Sequence, residues 1–175
     1  MLLQLVNGSR KNRLNTKIMQ NKTIVNLDNN LILGADNVEK NIVTLTLSAD
    51  QSIKNSDETI VAFNKYLKKG SKLEFDSSNH SIKIGDDISR IKINMNAFAK
   101  NATTDWLWFK IFKNGEKTDF TSMVGRIGAW SSTSISPCIL DVKKGDYIQL
   151  IVQYGTANSE HYIRYDGTNL TVEAV

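Results

Sequence analysis

Two histidines, His80 and His161, and a single cysteine, Cys138, are the side chains best suited to act as bases, soft nucleophiles or metal ligands. A hydrolase must bring a nucleophile, a base and an orienting group together. No Ser or Cys motif of known geometry surrounds either histidine. His80 stands in the Ser/Asn-rich stretch Asp76-Ser77-Ser78-Asn79-His80, and His161 follows Glu160 in a polar segment. Both read as solvent-exposed structural residues, and the chain reads as non-enzymatic. One cysteine excludes an internal disulfide framework and any multi-cysteine zinc site. Between Pro137 and Ile139-Leu140, Cys138 reads as a small buried apolar side chain. Asp86-Asp87 lacks the spacing of a calcium loop and reads as a polar turn. No metal and no cofactor is expected.

Binding chemistry is better represented. Tryptophan and tyrosine combine flat apolar area with one polar handle, so they suit saccharide surfaces as well as cores. Trp130 lies in the loop-like Gly128-Ala129-Trp130-Ser131-Ser132, where its ring can stay exposed. A second cluster, His161, Tyr162, Arg164, Tyr165 and Asp166, mixes aromatic faces with hydrogen-bonding groups. Together these are the candidate ligand-binding residues, with a host surface glycan as the candidate ligand. Trp106 and Trp108 share one strand face and read as core or as a trimer interface. Arg10, Lys11, Arg13, Lys17 and Lys22 precede every acidic residue and form a candidate electrostatic attachment site, the alternative being a solvated basic tail. The net charge of +4, from 22 Lys plus Arg against 18 Asp plus Glu, is too small to imply nucleic acid. Basic residues beyond the first 41 are not interleaved with aromatics along a face, so no nucleic-acid partner is expected.

These groups need a scaffold. A chain of 175 residues with 41% hydrophobic content is long enough to bury one core. No stretch approaches the roughly 18 apolar residues of a membrane-spanning helix, so no membrane partner is expected, and Met1 to Val6 lack the basic flank of a signal peptide. Residues 1–41 are polar and punctuated, an extended amino-terminal arm. From 42 to 175 a period of two dominates, in short runs rich in Val, Ile, Thr, Tyr and Phe. Strands are expected at Ile42 to Leu47, Thr59 to Leu67, Leu73 to Ile84 as a hairpin, Ile91 to Ala97, Trp106 to Phe112, Ile135 to Val142, Tyr147 to Tyr154, Tyr162 to Tyr165 and Leu170 to Val175. Asn114-Gly115 supplies the positive φ angles of a tight hairpin, and Lys143-Lys144-Gly145-Asp146 is a second turn. Residues 51–58 have room for a short helical turn. Pro137 belongs at a strand start or edge, where its missing donor costs nothing. The pattern implies an all-β fold, an antiparallel two-sheet sandwich of the jelly-roll type.

Leu140-Asp141-Val142-Lys143-Lys144-Gly145-Asp146-Tyr147-Ile148-Gln149-Leu150-Ile151-Val152 resembles the Gly-Asp turn and following strand of tumour-necrosis-factor-like and complement-globular-head jelly rolls. The Ile91 to Phe98 strand, Phe112-Lys113-Asn114-Gly115 and the closing Tyr165-Asp166-Gly167-Thr168-Asn169-Leu170-Thr171-Val172-Glu173 follow in the order that resemblance requires. The closing segment is similar to copies in structural proteins of tailed bacteriophages, in tail, baseplate and head fibres. The resemblance implies a homotrimer located in the virion. Its arm would dock on capsid, tail or fibre-shaft proteins, and its loops would face outward for host attachment. The chain departs from the animal members in having no collagen-like stalk and no disulfides, which places hormone and complement roles in doubt.

Overall fold

The computed structural model describes residues 16–19, 22–27, 30–33, 40–54, 57–101, 105–125, 128–155 and 161–175. The chain divides into two units, Met1–Glu39 and Lys40–Val175. In the first, β1 (Thr16–Met19), β2 (Lys22–Leu27) and β3 (Asn30–Leu33) pair in chain order as an antiparallel three-stranded sheet. The segment expected as an extended arm therefore carries paired strands, with Lys17 opposite Ile24 and Lys22 opposite Met19. Arg10, Lys11 and Arg13 lie outside the described residues.

The second unit is all β among its described residues. Its strands are β4 (Ile42–Thr46), β5 (Gln51–Ile53), β6 (Thr59–Ile60), β7 (Lys65–Lys69), β8 (Leu73–Asp76), β9 (Ser81–Ile84) and β10 (Arg90–Lys100). They continue with β11 (Leu107–Lys113), β12 (Glu116–Val124), β13 (Trp130–Asp141), β14 (Tyr147–Tyr154), β15 (His161–Ile163) and β16 (Asn169–Ala174). Seven form one antiparallel sheet, β5-β15-β10-β16-β4-β7, with β13 on the other flank of β10. Six form the second, β12-β11-β14-β9-β8, with β6 also paired to β14. Val43, Leu45, Ile91, Ile93, Met95, Leu170 and Val172 of the first sheet and Leu107, Phe109, Ile111, Leu150 and Val152 of the second are all 0% exposed. Burying each such side chain contributes about 1.5–3 kcal/mol, and a one-residue slip would turn a strand's whole set outward, so the alternation fixes register.

Four expectations need correction. Thr59 to Leu67 is two strands: β6 pairs with β14 in one sheet and β7 with β4 in the other. Between them Val61 donates to the Leu150 carbonyl at 2.9 Å and Asn64 to the Thr46 carbonyl at 3.2 Å, so the chain crosses from sheet to sheet while Val61 and Phe63 stay buried. Residues 51–53 are a strand, not a helical turn, held by the Gln51 amide bridging the Ile60 carbonyl and the Ala62 amide. β13 begins at Trp130, five residues before the expected Ile135. Pro137 is inside that strand, which pairs only with β10 among the described strands and so is an edge as expected, at the point where pairing steps from Ile93 opposite Cys138 to Met95 opposite Ile135. The bulge leaves Pro137 with no ladder bond to make. Cys138 is only half-buried, packed against the core with its thiol 3.7 Å from the Ile93 carbonyl, and burial pushes that thiol's pKa up. The turns match their residues: Asn114 and Gly115 have φ of 57° and 81°, as a type I′ hairpin requires.

Candidate functional site

Five of the six expected ligand-binding residues, Trp130, Tyr162, Arg164, Tyr165 and Asp166, lie at one end of the seven-stranded sheet. Lys100 near the end of β10 lies opposite Trp130 on one side and Tyr162 on the other. Arg164 follows β15, and its amide donates to the Phe98 carbonyl at 2.8 Å. The Arg164 guanidinium then sits 5.7 Å over the Phe98 ring and 5.4 Å over the Trp130 ring, the two rings 5.5 Å apart and tilted by 38°. The Arg164 Nε donates to the Asp166 carboxylate at 2.9 Å. Trp130 is therefore half-buried in a cation–π stack and not displayed on an open loop. Tyr165 is exposed, its amide bound to the Asp50 carboxylate at 3.0 Å. With Asp166, Lys65 and Thr168 it lines a shallow recess beside the stack. Phe98, the centre of the cluster, was missed; its place opposite the buried Ala97 and Ala99 in a strictly alternating strand was the signal for it.

His161 does not join them. It is 0% exposed, in the position of β15 that faces the core while Tyr162 faces out. The expected exposed loop is a strand because residues 161–163 pair with both β5 and β10. The His161 ring packs 4.2 Å from the Tyr154 ring, and its Nε2 lies 3.7 Å from the Asp105 carboxylate. Neither ring nitrogen has a hydrogen-bond partner among the described residues. Burial lowers the His161 pKa, and the Asp105 charge opposes that shift only in part. Asp105 Oδ1 accepts from the amides of Trp106 at 2.7 Å and Gly155 at 3.0 Å, tying the start of β11 to the end of β14. The Asn101 amide group donates to the Asp105 carbonyl at 2.8 Å and also to the Gly125 carbonyl. This His–Asp pair is shaped as a buried structural hub. His80 is half-buried, at a φ of 49°, with Nδ1 2.7 Å from the Phe63 carbonyl.

The acidic turns have local partners. Asp86 pairs with Lys144 at 2.8 Å and Asp87 with Lys72 at 3.2 Å. Asp76 accepts from the Ser78 hydroxyl at 2.6 Å and the Asn79 amide group at 2.9 Å, which lowers its pKa to about 2. No group of three or more His, Cys, Asp or Glu among the described residues is arranged to hold a metal ion.

The remainder of the outward face is a polar ladder. Thr44, Thr171 and Asn94 form one cross-strand row and Thr46, Asn169, Asn96 and Ser134 the next. The Thr44 and Thr171 hydroxyls are 3.0 Å apart, and Asn96 donates to Asn169 at 3.4 Å. Lys92 and Glu173 pair beside them. Leu67, 76% exposed, flanks the ladder opposite Thr44, and Ile139, 50% exposed, flanks it opposite Lys92.

Strand order, register and core invite comparison with solved structures. A crystal structure of murine APRIL at pH 5.0 superposes with a TM-score of 0.59 at 18% identity, covering 78% of this chain and 100% of that one. The body has a tumour-necrosis-factor-like jelly-roll fold. APRIL at pH 8.0 gives a TM-score of 0.58 at 18% identity over the same shares. Eiger TNF from S. frugiperda gives 0.55 at 9% identity, covering 78% of this chain and 92% of that one. No protein-family model and no curated protein matches the sequence. At these identities the likeness is one of fold.

Proposed function

We propose that this protein is a non-enzymatic bacteriophage virion protein, a homotrimeric fibre or decoration subunit whose basic amino-terminal unit attaches it to the particle. The observation that carries the trimer is the outward face of the seven-stranded sheet. No described strand of the second unit packs on it, yet it is regular and rimmed by Leu67 and Ile139. Rows of Thr, Asn and Ser on such a face suit a protein neighbour, because hydroxyl and amide groups both donate and accept, and in a ring of three each copy presents this face to a different surface of the next. The virion assignment rests on the resemblance of the Tyr165 to Glu173 segment to phage fibre proteins, and the likeness to APRIL and Eiger TNF carries the fold alone.

Light scattering on the full chain should give a mass near three protomers. Asn94→Arg with Thr171→Arg, two charges placed at the centre of the ladder, should reduce it to one protomer without loss of β-structure by circular dichroism. A wild-type monomer would remove the trimer. Absence of the protein from purified particles would remove the virion role, and a chain lacking residues 1–40 that still bound particles would remove the attachment role of the first unit.

A further inference from the structure

The second sheet offers a different surface. On its outward face β11 places Trp108, Lys110 and Phe112, alternating with the buried Leu107, Phe109 and Ile111. Most of this face is closed: Phe112, Gln149 and Ile151 are buried, and Gln149 donates to the Asn79 carbonyl at 2.8 Å. One row stays open. Trp108 is 38% exposed, lying opposite Met123 of β12 on one side, itself 43% exposed, and opposite Gln153 of β14 on the other.

Next to the indole is a polar group that is already set. The nearly buried Lys110 ammonium donates to Glu58 at 2.9 Å and to the Gln153 side-chain oxygen. An ammonium has no acceptor, so Gln153 must turn its carbonyl oxygen to Lys110 and is left with its two N–H donors to offer. Glu58 likewise uses one oxygen on Lys110 and keeps the other, and neither the Gln153 N–H groups nor that oxygen has a partner among the described residues. A partly exposed indole therefore stands in the same row as the Gln153 donors, which the Lys110 bond orients, with the Glu58 acceptor held by the same ammonium.

We propose that this row is a binding site for a neutral saccharide, one pyranose ring stacking on Trp108 while its hydroxyls accept from Gln153 and donate to Glu58. A sugar ring has an apolar C–H face and hydroxyls at its edge that both donate and accept, which is the complement of this arrangement. The carboxylate disfavours anionic sugars. A purely apolar partner would leave the second Glu58 oxygen and the Gln153 N–H groups desolvated and unpaired, which is costly. The site is on the opposite sheet from the proposed trimer face, so it does not rest on the trimer.

The test uses the full chain titrated with neutral oligosaccharides of glucose, galactose and N-acetylglucosamine, and with sialyllactose, read by tryptophan fluorescence and by calorimetry. At least one neutral oligosaccharide should bind with a fluorescence change, and sialyllactose should not exceed its neutral core. Trp108→Ala should weaken binding about tenfold, the loss of one aromatic stacking contact, whereas Trp108→Tyr keeps most of it and Glu58→Gln weakens it. Absence of binding across the neutral panel, or binding that Trp108→Ala leaves intact, overturns the proposal. So does a drop in oligomeric mass in Trp108→Ala, which would make the row a protein interface.

Discussion

Replacing Asp146 with alanine should remove the lock that joins two turns at one end of the sandwich. Asp146 is buried, with Oδ1 accepting from the Asn114 amide group at 2.9 Å and Oδ2 from the Lys143 backbone amide at 3.0 Å. Asn114 in turn accepts from the Tyr147 amide at 2.9 Å, so one carboxylate holds the 143–146 turn against the Asn114-Gly115 hairpin. Hydrogen bonds to a charged group contribute about 1.5–3 kcal/mol each, and the Lys143 amide is near enough to the surface for water to recover part of its loss. Asp146→Ala should therefore cost about 3 kcal/mol, and Asp146→Asn, which keeps one acceptor but turns an amide on the second donor, about half that. Burial would raise the Asp146 pKa, but the bonds from Asn114 and Lys143 and the charges of Lys113 and Lys143 outweigh it and the pKa falls. A carboxylate with a lowered folded pKa stabilises the fold above its unfolded value of about 3.9 and loses that contribution as pH drops through the folded pKa. The gap between wild type and Asp146→Ala should thus be full at pH 7 and narrow below about pH 4. Urea unfolding followed by tryptophan fluorescence measures both. A difference under about 0.5 kcal/mol at pH 7, within the range of ordinary surface substitutions, would refute the lock.

His161 gives a pH dependence of its own: its folded pKa is lowered by burial, so the fold favours the neutral ring and loses stability as pH falls below about 6.5. The urea midpoint of wild type should drop between pH 7 and 5.5, and His161→Phe, which keeps a ring against Tyr154, should flatten that slope; parallel slopes would show that another group titrates. Gly167→Ala tests the aromatic stack, because an added Cβ would come within 2.6 Å of the Phe98 Cβ. Overpacking of this kind costs about 1–3 kcal/mol and should alter the Trp130 fluorescence, whereas an unchanged spectrum and melting temperature would mean that the backbone at 167 gives way freely.

Strict alternation made β10 and β14 legible, since each repeats apolar side chains at every second place over seven or more residues and one face of each is wholly buried. Asn114-Gly115 was legible because few other residues tolerate two successive positive φ angles. The single strand from Thr59 to Leu67 was misread because periodicity reports burial and not partnership: Val61 and Phe63 keep the rhythm while the backbone changes sheets. His161 was misread through its polar neighbours, although the alternation His161, Tyr162, Ile163 carries the in-out-in signal. Trp106 and Trp108 have the spacing of one strand face, but only the pairing of β11 with both neighbours decides that Trp108 faces outward and not into the core. Asp105 and Asp146 had no local signature as hubs, because the groups they bind, such as Gly155 for Asp105 and Asn114 for Asp146, lie tens of residues away.

The Gly145-Asp146 resemblance has a physical explanation that limits what it implies. Gly145 takes a φ of +88°, which favours glycine, and Asp146 is the buried carboxylate that fastens this turn to the hairpin beside it. Both requirements come from closing the sandwich at that end, so any chain with the same closure meets them whatever it binds. The motif therefore tracks the fold, in agreement with APRIL and Eiger TNF superposing at only 18% and 9% identity. Function has to be sought in side chains that the closure does not need. On the seven-stranded sheet these are the Thr/Asn ladder and the Phe98–Trp130–Arg164 stack, the latter closed on itself by the guanidinium. On the six-stranded sheet they are Trp108, Gln153 and Glu58, which are left open. A three-fold interface joins two different surfaces, and the proposed trimer names only the ladder as one of them. The Asn94→Arg, Thr171→Arg chain, measured as a monomer, should bind a neutral oligosaccharide as tightly as wild type if the Trp108 row is separate from assembly, and a loss of affinity would make that row the second surface.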